Sequence, residues 1–221
     1  MQNKNIIIIE TSLSRIFIAT IKKNKILSKC INTPKSIEQE LNSLIEKLII
    51  ETKLKFSDID LFFISLGPGS FTGIRLGISV AKALALSLNA RIIGFSNFEI
   101  IYSQFLINHK DQNTKKVEVI IKGPGNEFFK KVFSSGKPGI KNYLITEQQL
   151  IYPNRNTKTC LVGNFINHMN LKNYFFCIPK EEGYLETIRK IVSNLSKVKF
   201  KEPIPIYIKE HYAKKRNRKN L

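Results

Sequence analysis

Residues 66 to 89 read LGPGSFTGIRLGISVAKALALSLN. Four glycines, Gly67, Gly69, Gly73 and Gly77, precede a run rich in alanine and leucine. A glycine within a helix costs roughly 0.5–1 kcal/mol against alanine. Two of the four fall inside the helix that this stretch predicts, so a ligand or a close neighbour must compensate. Leu61 to Leu66 reads as a buried strand, Gly67-Pro68-Gly69 as the turn leaving it, and Ser70 as the helix N-cap. A glycine turn opening a helix N-terminus can hold an anion. No Gly-Lys-Ser/Thr follows it, and the glycine spacing is not that of a dinucleotide fingerprint.

The helix carries a second pattern. Gly73, Gly77, Ala81 and Ala85 recur at every fourth position and form a ridge about 18 Å long. Such a ridge admits another helix at close range or seats its own helix tightly on a sheet. Leu76, Val80, Ala83, Leu84 and Leu88 supply a further apolar side. The expectation is therefore a partner interface at Gly73, Gly77, Ala81 and Ala85. A preceding amphipathic helix would join it through Ile37, Leu41, Leu44 and Leu48.

The rest of the first half fits a β-β-β-α-β-α-β order. Ile6 to Ile9 is a fully apolar, β-branched run, and Glu10-Thr11-Ser12 is the polar turn after it. Arg15 to Lys22 and Ile26 to Cys30 are predicted strands, and Ser36 with Gln39 matches a capping box. Arg91 to Gly94 closes this half as a short strand. In the second half the expected elements are strands at Val117–Lys122, Glu127–Ser134, Thr159–Val162 and Phe175–Ile178. A helix at Tyr184–Leu195 and an extended segment around Pro203 and Pro205 complete it. The domains expected are a first lobe over residues 1–100, a second over 101–213, and a basic tail at 214–221.

Hydrophobic residues make up 43% of the 221 positions, enough for a sizeable core. The longest apolar stretch, Ile74 to Leu88, is broken by Arg75 and Lys82, which argues against a membrane span and for a cytoplasmic protein. Cys30, Cys160 and Cys177 have no metal-type spacing. The formal charge of +19 suits a polyanion such as RNA. Its one true cluster is the tail, where Lys214, Lys215, Arg216, Arg218 and Lys219 are candidate RNA contacts. The remaining excess is spread along the chain, as compositional drift would also leave it.

LGPGSFTGIRLGISVAKALALSLNARIIGFSNFE resembles the signature region of the TsaB (YeaZ) family. IIIIETSLSRIFIAT, IKGPGNEFFKKVF and PIPIYIKEHYAKK resemble three further family segments. The resemblance implies an α/β, two-lobed actin-like fold of the sugar kinase and Hsp70 type, with mixed sheets flanked by helices. It implies a non-catalytic subunit of the bacterial machinery that makes threonylcarbamoyladenosine in tRNA. Such a subunit pairs with the catalytic paralogue TsaD, beside a TsaE-type ATPase, and forms a homodimer as the assembly without its partner. ATP and threonylcarbamoyl-AMP serve the complex, and no cofactor or metal is expected on this chain alone. In the catalytic paralogue two metal-binding histidines fall where this chain has Asn97 and Ile101. His109, His168 and His211 are isolated from one another in sequence.

Two departures from the family pattern stand out. The first turn carries Glu10 where aspartate is usual, and Ile121-Lys122-Gly123 replaces Asp-Ala-Arg. The alternative function is an actin-like ATPase or phosphotransferase. It would take its nucleotide or anion contacts from Glu10, Thr11, Gly67, Gly69 and Ser70.

Overall fold

Two five-stranded mixed sheets with one strand order organise the chain. The computed structural model describes residues 4–23, 25–32, 34–110, 116–123, 125–135, 137–151, 159–165, 169–193 and 203–208. The first sheet holds β1 (Ile6–Glu10), β2 (Arg15–Lys22), β3 (Lys25–Asn32), β4 (Leu61–Ser65) and β5 (Arg91–Phe95). Its order is β3-β2-β1-β4-β5. β1, β4 and β5 run parallel, while β2 and β3 add as an antiparallel meander. Helices α1 (Ile37–Thr52) and α2 (Phe71–Leu88) make the crossovers that the parallel pairs require.

The second sheet repeats this plan with β6 (Lys116–Lys122), β7 (Glu127–Ser134), β8 (Lys137–Thr146), β9 (Thr159–Gly163) and β10 (Tyr174–Phe176). Its order is β10-β9-β6-β7-β8, the same arrangement counted from the other edge. A duplicated 3-2-1-4-5 sheet is the two-lobed, actin-like α/β architecture.

Helices α3 (Asn97–Asn108) and α5 (Glu181–Ser193) pack together between the sheets. Ile101, Phe105 and Tyr102 of α3 join the second-lobe core with Val119, Ile121 and Phe129. Ile100 of α3 and Tyr184 and Ile188 of α5 join Ile6, Ile8 and Phe63 under the first sheet. The boundary expected at residue 100 therefore falls inside α3, a helix buried on nearly every side, and α5 crosses back to the first lobe. Helix α4 (Glu147–Ile151) and strand β8 are also additions to the elements expected from sequence.

Helices α1 and α2 cover the opposite face of the first sheet. Leu41, Leu44 and Leu48 of α1, with Ile74, Ala81 and Ala85 of α2, form one core with Ile7, Ile9, Phe62 and Ile64. Helix α2 is long and apolar enough by composition to cross a membrane, and here its small-residue side lies on β1 and β4.

The cysteines are separated by burial. Cys30 is exposed, whereas Cys160 and Cys177 are buried. Burial pushes Cys160 up and Cys177 up to about 12. Titration of the native protein with an aromatic disulfide at pH 8 should register one fast thiol, and three after denaturation. Two or more fast thiols would contradict this packing.

Candidate functional site

β1 ends in Glu10, a carboxylate wholly removed from solvent. An ion so placed must be paired and hydrogen-bonded. Its Oε1 accepts from the Ser12 amide at 2.5 Å, the Ser12 hydroxyl at 2.8 Å and the Leu13 amide at 2.9 Å. Its Oε2 accepts from Nε of Arg15 at 3.1 Å. Arg15 donates onward to the Tyr184 hydroxyl at 2.9 Å, and the Tyr184 ring stacks on Phe17 at 4.3 Å. Burial opposes the Arg15 charge, yet Tyr184 and Glu10 hold the guanidinium above its ordinary pKa. Burial penalises the phenolate and pushes the Tyr184 phenol up, against the opposing pull of Arg15. Both oxygens of Glu10 are thus committed to its own turn and to Arg15.

The same turn locks onto the start of α2. Thr11 donates its hydroxyl to the Gly73 carbonyl at 2.6 Å. The Ser70 amide donates to the Ser12 carbonyl at 2.8 Å, and the Ser70 hydroxyl caps the helix by accepting from the Gly73 amide at 3.2 Å. A Cβ at Gly73 would fall on the Thr11 carbonyl oxygen, and one at Gly77 would come within 2.5 Å of the Thr11 hydroxyl. The close neighbour that the glycines serve is therefore the turn after β1.

This corrects the interface expected on the small-residue ridge. Gly73, Gly77, Ala81 and Ala85 are buried against the chain's own sheet, as are Leu41, Leu44 and Leu48 of α1. Ile37 is half-buried against the same core. A helix on a sheet needs small residues for close approach as much as a helix pair does, and here the sheet takes them.

Asn97 ties four segments together. Its amide nitrogen donates to Ser12 Oγ at 2.7 Å and to the Pro68 carbonyl at 2.8 Å. Its oxygen accepts from the Ser65 hydroxyl at 2.8 Å. Ile101, one turn on, is fully buried in the second-lobe core. Among the described residues no three His, Cys, Asp or Glu side chains cluster. His109 packs its ring between Phe105 and Phe175, while His168, His211 and the basic tail at 214–221 lie outside the described residues.

A cleft of about 440 Å³ opens between the lobes. Ser12, Gly69, Ser70 and Thr72 form one wall, and Lys122, Gly123, Asn164 and Phe165 the other. Of the anion contacts expected from sequence, Gly69 and Ser70 reach this cleft. Glu10, Thr11 and Gly67 are buried behind it. The sequence alone does not single out Lys122 and Asn164 as cleft residues, although the glycine turn after Lys122 is visible in it. The segment at residues 203–208 straps the same region, with the Ile206 amide donating to the Leu66 carbonyl at 2.8 Å. Tyr207 adds a ring 5.7 Å from Phe71.

The outer side of α2 remains open. Ala83 and Leu86 are exposed, Leu86 to 87%, and Leu76 and Val80 are half-buried beside them. Ile50 of α1 is 74% exposed.

Residues 31–128 match the family model described as "TsaD: tRNA N6-adenosine threonylcarbamoyltransferase". The chain is 35% identical over 96 residues to the tRNA threonylcarbamoyladenosine biosynthesis protein TsaB of Buchnera aphidicola from Schizaphis graminum. That match covers 43% of this chain and 46% of the relative, so the chain spans about half the length of that curated protein. The TsaB of Buchnera aphidicola from Acyrthosiphon pisum is 25% identical over 207 residues, covering 87% of this chain and 92% of its own length. Among solved structures, YeaZ from Pseudomonas aeruginosa superposes with a TM-score of 0.72 at 18% identity. It covers 92% of this chain and 99% of that one, a likeness of fold.

Proposed function

Since this chain belongs to the TsaB (YeaZ) family, we propose that it is a non-catalytic, cytoplasmic subunit of the tRNA threonylcarbamoyladenosine machinery, pairing with a TsaD-type catalytic paralogue. The observation that carries the pairing is the outer side of α2, where Ala83 and Leu86 are exposed and Leu76 and Val80 half-buried, together with the exposed Ile50 of α1. Two such helices from each subunit would make a four-helix contact. A standard interface buries ~1,600 Å² in total. Without its partner, the same side would cover itself in a homodimer.

The non-catalytic reading rests on residues already spent. Glu10 is committed to Arg15 and its own turn, and Thr11 to Gly73. Asn97 and Ile101, at the paralogue's metal-ligand positions, are a hydrogen-bond hub and a core residue. Asparagine is a poor transition-metal ligand and isoleucine is none. ATP and threonylcarbamoyl-AMP are then consumed by the assembled complex, with a TsaE-type ATPase and tRNA as its other components.

The alternative, an actin-like ATPase, draws on the cleft lined by Gly69, Ser70 and Lys122. Against it stands Glu10, the carboxylate at the end of β1, which is bonded to its own turn and to Arg15 and is not free to hold a nucleotide's metal ion.

Co-expression with the TsaD-type paralogue from the same genome tests the pairing. The wild type is expected to co-purify. Ala83→Asp/Leu86→Asp puts two charges on that side and should weaken pairing about 30-fold or more, as a lost hot spot does. Both positions are exposed, so the melting temperature of the isolated variant should move by no more than about 3 °C. Unchanged pairing in the variant would overturn this choice of surface.

A further inference from the structure

The second sheet turns one face toward α3 and the other outward. Strand register sets Lys116, Glu118 and Lys122 of β6 on the outward face, with Lys130 of β7 beside them. Tyr143 and Lys137 of β8 continue the face, opposite Lys130 and Ser134. Toward one end, Ile120, Phe128 and Ile145 are covered by Leu150 of α4 and by Phe165 and Met169. The other end is open, with the Lys116 side chain 47% exposed and Lys137 exposed, and on the edge strand Tyr143, level with Ile120, is 43% exposed.

Charge on this face is one-sided. Glu118 is its carboxylate among the described residues, and its side chain is buried between Lys116 at 3.4 Å and Lys130 at 3.8 Å. Four lysines thus stand against one carboxylate that never reaches solvent. Two of them are parked on aromatic rings, Lys122 at 4.3 Å from the Phe128 centroid and Lys130 at 5.4 Å from that of Tyr143. Such packing orders the lysine stems before any ligand arrives, so less rotamer freedom is lost on binding. The chain's positive excess is not uniform, since the exposed side of α1 carries Glu38, Glu46 and Glu51 against Lys47.

Ordered ammonium groups beside an exposed phenol are the chemistry of a nucleic-acid backbone contact. Lysines neutralise phosphates, and an aromatic ring accepts an unstacked base. We infer that the outward face of the second sheet contacts RNA, independently of the basic tail. That the RNA is tRNA rests on the proposed function; the charge argument does not.

The test uses the full chain with its tail in place and an unmodified tRNA transcript, titrated over a salt series. Lys116→Gln/Lys137→Gln leaves Lys130 to pair Glu118. It should weaken binding about tenfold at low salt and flatten the log–log salt slope by roughly one to two units. Glu118→Gln releases Lys116 and Lys130 and should tighten binding about threefold, a gain that partial unfolding cannot mimic. Tyr143→Ala should weaken binding while leaving the slope unchanged. Coincident slopes for wild type and the double lysine variant would overturn the inference, as would a Glu118→Gln protein that binds no tighter. So would lysine-dependent binding to phosphatidylserine vesicles with tRNA affinity unaffected. The assay needs no partner subunit, so failure of pairing with the paralogue leaves its outcome readable.

Discussion

Gly73→Ala is expected to lower stability by about 2 kcal/mol or more, although alanine is the better helix former by roughly 0.5–1 kcal/mol. The added methyl would fall on the Thr11 carbonyl oxygen. The methyl is fixed to its Cα in α2 and the oxygen is backbone in the turn after β1, so no side chain can rotate away. For a chain of this size each kcal/mol moves the melting temperature by about 2–4 °C, which predicts a loss of at least 4 °C. Gly77→Ala should be milder, because its new methyl meets the Thr11 hydroxyl at 2.5 Å, and a hydroxyl can turn. That turn would forfeit the bond from Thr11 to the Gly73 carbonyl, about 1 kcal/mol. Gly77→Leu should unfold the chain outright rather than spare the fold and abolish pairing. Thermal melts of the isolated variants decide this, and a Gly73→Ala protein melting with the wild type would refute the close approach.

The second large effect is expected at Glu10. Glu10→Ala leaves the Arg15 guanidinium, 6% exposed, without its carboxylate and strips acceptors from the Ser12 and Leu13 amides. Breaking a buried ion pair from one side typically costs 3–5 kcal/mol, a large share of the 5–15 kcal/mol that holds a domain together. Arg15→Leu should cost a similar amount through the stranded carboxylate. Glu10→Ala/Arg15→Leu should lose less than the two single changes together, since neither charge is then left alone. Urea denaturation of the four proteins in the cycle measures the coupling. Strict additivity would mean that the pair does not act as a unit.

The first lobe was largely legible because its signals are local. Apolar runs, β-branched in β1 and rich in phenylalanine in β4, marked those strands, and Ser36 accepts from the Gln39 amide as one half of a capping box, while Glu40 rather than Gln39 accepts from the Ser36 amide. Helix α3 escaped because it is packed between two sheets and apolar almost all round, with no stripe to read. Its start was nonetheless written in the chain: Ser96 and Glu99 form a capping box. Strand β8 hid behind Pro138, Gly139 and two lysines, as an edge strand can afford to.

The candidate site was harder for a different reason. A ridge of Gly73, Gly77, Ala81 and Ala85 records that something approaches closely, but not what. The answer is Thr11, sixty-two residues from Gly73 in sequence and hydrogen-bonded to it in the fold. Glu10 posed the same problem. A carboxylate after the first strand is equally suited to a metal-bound nucleotide or to a buried arginine, and Arg15 takes it only once β2 folds back along β1. Tyr184, which completes that set, arrives from α5 in the other half of the chain.

The central claim is that this chain completes a catalytic partner and has no turnover of its own. Its most direct test is reconstitution of threonylcarbamoyl transfer to a tRNA transcript. The reaction contains the TsaD-type paralogue, the TsaE-type ATPase, ATP and threonylcarbamoyl-AMP, with and without this chain, and this chain is also assayed alone. The account predicts modified adenosine only when the chain and the paralogue are both present, and neither modification nor ATP hydrolysis by the chain alone. Full activity without this chain, or ATP turnover by the purified chain on its own, would contradict it.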